Sequence, residues 1–159
     1  MKNHFKVLVF AAFVLLVAGC GVKRSQSYYD QKPQIIGTEL DGSYAISCWG
    51  KGRNADEAMK ELLKQAVYEV VFNGVPSGAS SIQPLKPLIL TVNAKDKYAE
   101  WSNMFFADGG EYLKYCSRHD RRTGSSRFIK NRNSVLCQGV VSVDVAQLKS
   151  MLKVYGIIK

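Results

Sequence analysis

Between Asn54 and Phe72 the apolar residues fall on one side of a helical wheel, and that stripe decides more about the fold than any other stretch of the chain. Ala55, Ala58, Met59, Leu62, Leu63, Ala66, Val67, Val70 and Val71 recur at steps of three and four. Asp56, Glu57, Lys60, Glu61, Lys64 and Gln65 take the opposite side. Asn54 suits an N-cap, Glu57 stands three residues later as in a capping box, and Asn73-Gly74 supplies a stop. A helix with one apolar side needs a second layer to bury it against. Residues 34–52 begin that layer. Two strand-like segments flank Asp41-Gly42, a pair suited to a type I′ hairpin turn. In the second segment Tyr44, Ile46 and Cys48 alternate with Ala45, Ser47 and Trp49, and Gly50 and Gly52 are expected to end it.

Downstream of the helix, residues 74–97 carry three prolines and read as a long loop whose Ile and Leu residues cover the core or meet a partner. Tyr98, Trp101, Phe105 and Phe106 recur at helical steps and are expected to be core. Residues 111–118 and 134–145 then read as two strands of a long antiparallel hairpin with its tip around Thr123–Ser126. Asp144 can cap a last helix, with Gln147 at the capping-box position and Val145, Leu148, Met151, Leu152 and Tyr155 as its apolar stripe. Together these elements predict a single α+β domain over 34–159: an antiparallel sheet of three or four strands with two main helices packed on one face.

The N-terminus has a different character. Lys2 and Lys6 precede the apolar run Val7–Val17, and Ala18-Gly19-Cys20 follows. A short basic region, an apolar stretch and a small-residue cut site make a secretory signal. The run is shorter than the roughly 20 residues that span a bilayer core. Val17-Ala18-Gly19-Cys20 resembles the lipobox of bacterial lipoproteins. That resemblance implies cleavage before Cys20 and acylation of its thiol, with residues 1–19 as signal peptide and 20–33 as an acylated Cys and flexible tether. The neutral Gly21 leans towards the outer membrane, facing the periplasm, and leaves the inner membrane open.

Cleavage there would remove 19 residues and leave 140 of the 159, a length suited to one domain. The signal takes two lysines with it, so the net charge falls from +9 to +7. A basic envelope domain can approach anionic lipid, lipopolysaccharide, peptidoglycan carboxylates or an acidic protein. Nucleic acid becomes a partner only in a DNA-transfer apparatus. Arg118, His119, Arg121, Arg122, Arg127, Lys130 and Arg132 lie within fifteen residues, opposed only by Asp120. Guanidinium groups suit phosphate and carboxylate because each can donate two parallel hydrogen bonds. In the expected hairpin these residues gather at its tip and flanks as an anionic-ligand or partner contact. Acylation of Cys20 leaves Cys48, Cys116 and Cys137, an odd number, with both Cys116–Cys137 and Cys48–Cys137 open as disulfides. No CxxC occurs and His119 is the only histidine beyond the signal, so neither a metal site, a cofactor nor a nucleophile–base pair is expected.

The order of a strand ending in Gly50-Lys51-Gly52, the helix Ala55–Val71, Phe105-Phe106, and Val141-Ser142-Val143 before a short helix resembles the N-terminal domain of flagellar assembly protein T and related small secreted lipoproteins. The resemblance implies an α+β module used in envelope assembly, without catalysis. The functional expectation is a membrane-anchored accessory lipoprotein of a secretion, conjugation or flagellar assembly. The alternative is a periplasmic binding module for an anionic ligand, working through the Arg-rich hairpin.

Overall fold

The computed structural model describes residues 32–119 and 126–159. The expected signal, Cys20 and the tether up to residue 31 lie outside the described residues, as do Arg121 and Arg122. Residues Gln31–Lys159 make one unit, an α+β fold whose sheet is antiparallel throughout and has five strands. The strands are β1 (Gln34–Thr38), β2 (Tyr44–Gly52), β3 (Cys116–Arg118), β4 (Arg127–Lys130) and β5 (Val135–Val143). β1 pairs with β2, β2 with β5, and β5 carries both β3 and β4 on its other edge.

The amphipathic stripe becomes α1 (Ala55–Tyr68), continued by a π-helical turn over Glu69–Asn73. Asn54 Oδ1 accepts the Glu57 amide at 2.8 Å, so the expected cap forms. α1 lies across β2 and β5. Ala58, Leu62, Ala66, Val67, Val70 and Val71 are buried against Ile35, Ile46, Cys48, Cys137, Val141 and Val143 of the sheet. Burying each of the larger of these side chains contributes roughly 1.5–3 kcal/mol.

β2 runs through Gly50 and ends at Gly52, as expected, and the two glycines do more than close the strand. They let α1 come close. A Cβ on Gly50 would stand 2.1 Å from the Ala58 carbonyl oxygen, and one on Gly52 would stand 2.4 Å from the Ala58 amide nitrogen. Helix backbone rests directly on strand backbone there.

The long middle segment is core cover. Leu85 and Val75 exchange two backbone hydrogen bonds, 2.8 and 2.9 Å. The amides of Leu88 and Ile89 donate to the carbonyls of Val70 and Val71, two groups at the end of the helix. Ile89 is buried, and Ile82, Leu85 and Leu88 pack against the core. Ile35 donates to Pro76 and accepts from Gly78, so the same segment also covers the free side of β1. Beyond it come α2 (Ala94–Lys97) and α3 (Ala99–Phe105). Phe105 and Phe106 are buried as expected, in an aromatic cluster with Tyr68, Phe72, Trp101 and Tyr112. Asp144 caps α4 (Val145–Val154) through the Gln147 amide at 2.9 Å.

Three local expectations are corrected. The β1–β2 turn has three residues, not two: Glu39 donates to the Ser43 carbonyl, Gly42 donates back to Glu39, and Gly42 takes φ +87°. Residues Glu111–Tyr115 form a 3-10 turn, so only Cys116–Arg118 of the expected strand is extended. α4 meets chiefly this turn, while Leu148, Met151 and Leu152 enter the common core. Lastly, the hairpin does not fold about residues 123–126. β4 returns into β5 through a turn at 131–134, where Asn131 donates to Ser134. β3 and β4 run in one direction along the same edge of β5. Between the pairs Arg118–Val141 and Arg127–Gln138, β5 advances three residues and the edge strand nine.

Candidate functional site

The register settles where the basic residues fall. Arg118 sits opposite Val141, on the α1 side of the sheet. Arg127 sits opposite Gln138, on the other side, and Lys130 opposite Val135, back on the α1 side. Arg132 lies in the β4–β5 turn, and all four are exposed. Val141 and Val135 are six residues apart on β5, about 20 Å at ordinary strand rise. Lys130 and Arg132 are thus near neighbours in the chain at one end of the edge, Arg127 lies on the opposite face from Lys130, and Arg118 is at the far end of the edge.

His119, read in the sequence as one more basic residue, is instead part of a three-residue contact. Its Nδ1 lies 2.7 Å from Glu39 Oε1 and 3.3 Å from Ser142 Oγ. The Ser142 hydroxyl donates to the same Glu39 oxygen. Ser142 lies on the face of β5 turned away from α1, opposite Ala45 and Ser117. Glu39 enters from the β1–β2 turn, and the His119 amide extends β3 by donating to the Val140 carbonyl. The hydroxyl of Ser142, then His119, lowers the Glu39 carboxyl below its ordinary range. Chemically the group is a clamp. A nucleophilic serine gives its proton to a base that a third group orients. Here the buried serine and the imidazole Nδ1 both end on one carboxylate oxygen. The contact ties three elements together immediately before residue 120. Glu39 and His119 are 80 residues apart, and no local pattern announces such a pairing.

The three described cysteines carry free thiols, so neither pairing left open by the sequence is formed. Register explains it. Cys48 faces Gly139, and Cys116 faces Val143. Cys48 and Cys137 are therefore diagonal neighbours, at about 7–8 Å between Cα atoms, at or past the limit for a disulfide of about 7 Å. Cys116 is six residues along β5 from Cys137. All three project to the α1 side. Burial pushes the Cys116 thiol up to about 12 and raises those of Cys48 and Cys137, which keeps them protonated and poorly nucleophilic at neutral pH. Cys48 Sγ donates to the Leu62 carbonyl, 3.5 Å away, a further β2–α1 tie.

A groove of about 790 Å³ opens between residues 85–91, α2 and the chain end. Its side chains include Lys86, Lys97, Lys149 and Lys159, with no carboxylate side chain among them. Among the described residues, no three His, Cys, Asp or Glu side chains are grouped to hold a metal ion. No helix there is long and apolar enough to cross a membrane. No family model, curated protein or solved structure matches the chain.

Proposed function

We propose that this chain is a membrane-anchored, non-enzymatic lipoprotein of the bacterial envelope, an accessory or structural component of a secretion, conjugation or flagellar assembly. The anchor rests on Cys20 at the end of its apolar run, and the outer membrane, facing the periplasm, is the proposed location. The observation that carries the non-catalytic part is the Glu39 clamp. The serine and histidine best placed to react are used to hold a turn, a strand end and β5 together. Two experiments test the reading. Metabolic labelling with an alkynyl fatty acid should mark the protein, and Cys20→Ser should lose the label. Cross-linking in cells, then purification from detergent-solubilised envelopes, should yield discrete protein partners in fixed stoichiometry. Recovery of lipid or glycan alone would overturn the assembly role.

A second reading, a binding module for an anionic ligand, is supported by the exposed Arg127, Lys130 and Arg132 at the β4–β5 turn. Replacing Arg121, Arg122, Arg127 and Arg132 by Ser should weaken binding to anionic vesicles and flatten its salt dependence. Unchanged binding rejects this route.

A further inference from the structure

We propose that the groove beside the chain end binds an anionic phospholipid, with the headgroup phosphate held by its lysines and the upper acyl chain laid on its apolar floor. No residue of β3, β4 or the β4–β5 turn lines it. For a membrane close at hand it rests on the anchored reading above.

Three observations converge on an amphiphile. The first is charge: four lysines and no acidic side chain line one concavity. Ammonium groups serve phosphate as compact point charges, without the planar fork that suits a carboxylate. The second is the floor. Leu85, Leu88 and Ile158 are half-buried there and Ile157 is buried, so the groove is backed by the core itself. The third is the rim. Leu90 lines the groove at 74% exposure, and Val92, two residues on, is 85% exposed. Their neighbours Leu88 and Ile89 turn inward. Aliphatic side chains held outward beside lysines meet apolar chain and anionic headgroup together, as at a lipid surface. Inorganic phosphate would leave the aliphatic rim unused.

The walls are also fixed. Tyr98 hydroxyl donates to the Ile157 carbonyl at 3.3 Å, joining α2's end to the residues after α4. Lys97 Nζ lies 5.3 Å from the ring centroid of Tyr98, a second lining residue, in a cation–π contact. The volume falls within the range of about 300–1,000 Å³ usual for small-molecule sites.

The test uses the full chain in neutral detergent micelles, with photoreactive phosphatidylglycerol as probe. Saturable cross-linking to peptides spanning 85–92 and 149–159 is expected. Lys86→Gln/Lys97→Gln/Lys149→Gln should reduce it at least tenfold, while Arg127→Gln/Arg132→Gln leaves it within twofold. Leu90→Asp, at an exposed position, should reduce it independently of the lysines. Phosphatidylglycerol should compete, and phosphatidylcholine, inorganic phosphate and a glutamate-rich peptide should not. Cross-linking that does not saturate, or that ignores both the lysine and the Leu90 substitutions, overturns the proposal. So does displacement by phosphate or peptide as effective as by the lipid. Because the lipid is added, a Cys20 that proves unacylated leaves this result standing, and the two readings fail separately.

Discussion

The two faces of the sheet are held by opposite kinds of interaction. On one side, α1 rests on β2 and β5 through apolar side chains and through two glycines that remove every atom between helix and strand backbone. On the other, Glu39, His119 and Ser142 meet through hydrogen bonds to a single carboxylate oxygen. The first face depends on volume and is indifferent to pH. The second depends on the charge of Glu39. A sheet built this way has one side that specifies the fold and one that fastens its connections.

The largest break in that contrast comes from Gly50→Val. Its side chain would meet the Ala58 carbonyl and Leu62 backbone, and backbone cannot turn aside as a side chain can. A loss of more than ~3 kcal/mol is expected in urea unfolding. A near-neutral result would mean that α1 does not sit this close. Next comes Glu39→Gln, with an expected cost of about 1–2 kcal/mol at pH 7, since hydrogen bonds to a charged acceptor are the stronger kind. Its pH dependence sharpens the comparison. The folded Glu39 carboxyl is lowered, so its contribution is complete above the ordinary carboxylate pKa. It disappears as pH falls through the folded value. Wild type and Glu39→Gln should therefore converge in acid, whereas the Gly50→Val deficit should persist at every pH. Parallel curves for wild type and Glu39→Gln would reject the clamp as charge-dependent. The smallest effect, about 1 kcal/mol, is expected for Asn54→Ala, which removes the α1 cap without touching either face.

What could be read from the sequence follows the same division. α1 and α4 were legible because cap and stripe lie within one short segment, as Asn54 and Asp144 show, with Gly74 as the stop of the first. The α+β class followed, with one or two strands fewer than the sheet contains. Gly52 does end β2, but a glycine at a strand end and a glycine under a close helix look alike in sequence, so the approach of α1 was not legible. Residues 111–115 looked extended because Tyr112, Leu113 and Tyr115 favour strands, yet the 3-10 turn buries Tyr112. The clamp was invisible because its members come from three distant segments. The basic residues were counted correctly, but their separation depends on register, which composition does not contain.

The edge of β5 has one more consequence. A sheet edge invites another chain when it offers an unbroken row of amides and carbonyls. Here that row is divided between β3, three residues long, and β4, four residues long, so a foreign strand could pair with only three or four residues of either. The opposite edge is bent by an irregularity between Ile35 and Gly37 and covered by residues 76–78. Both margins of the sheet are thus poor templates for self-association.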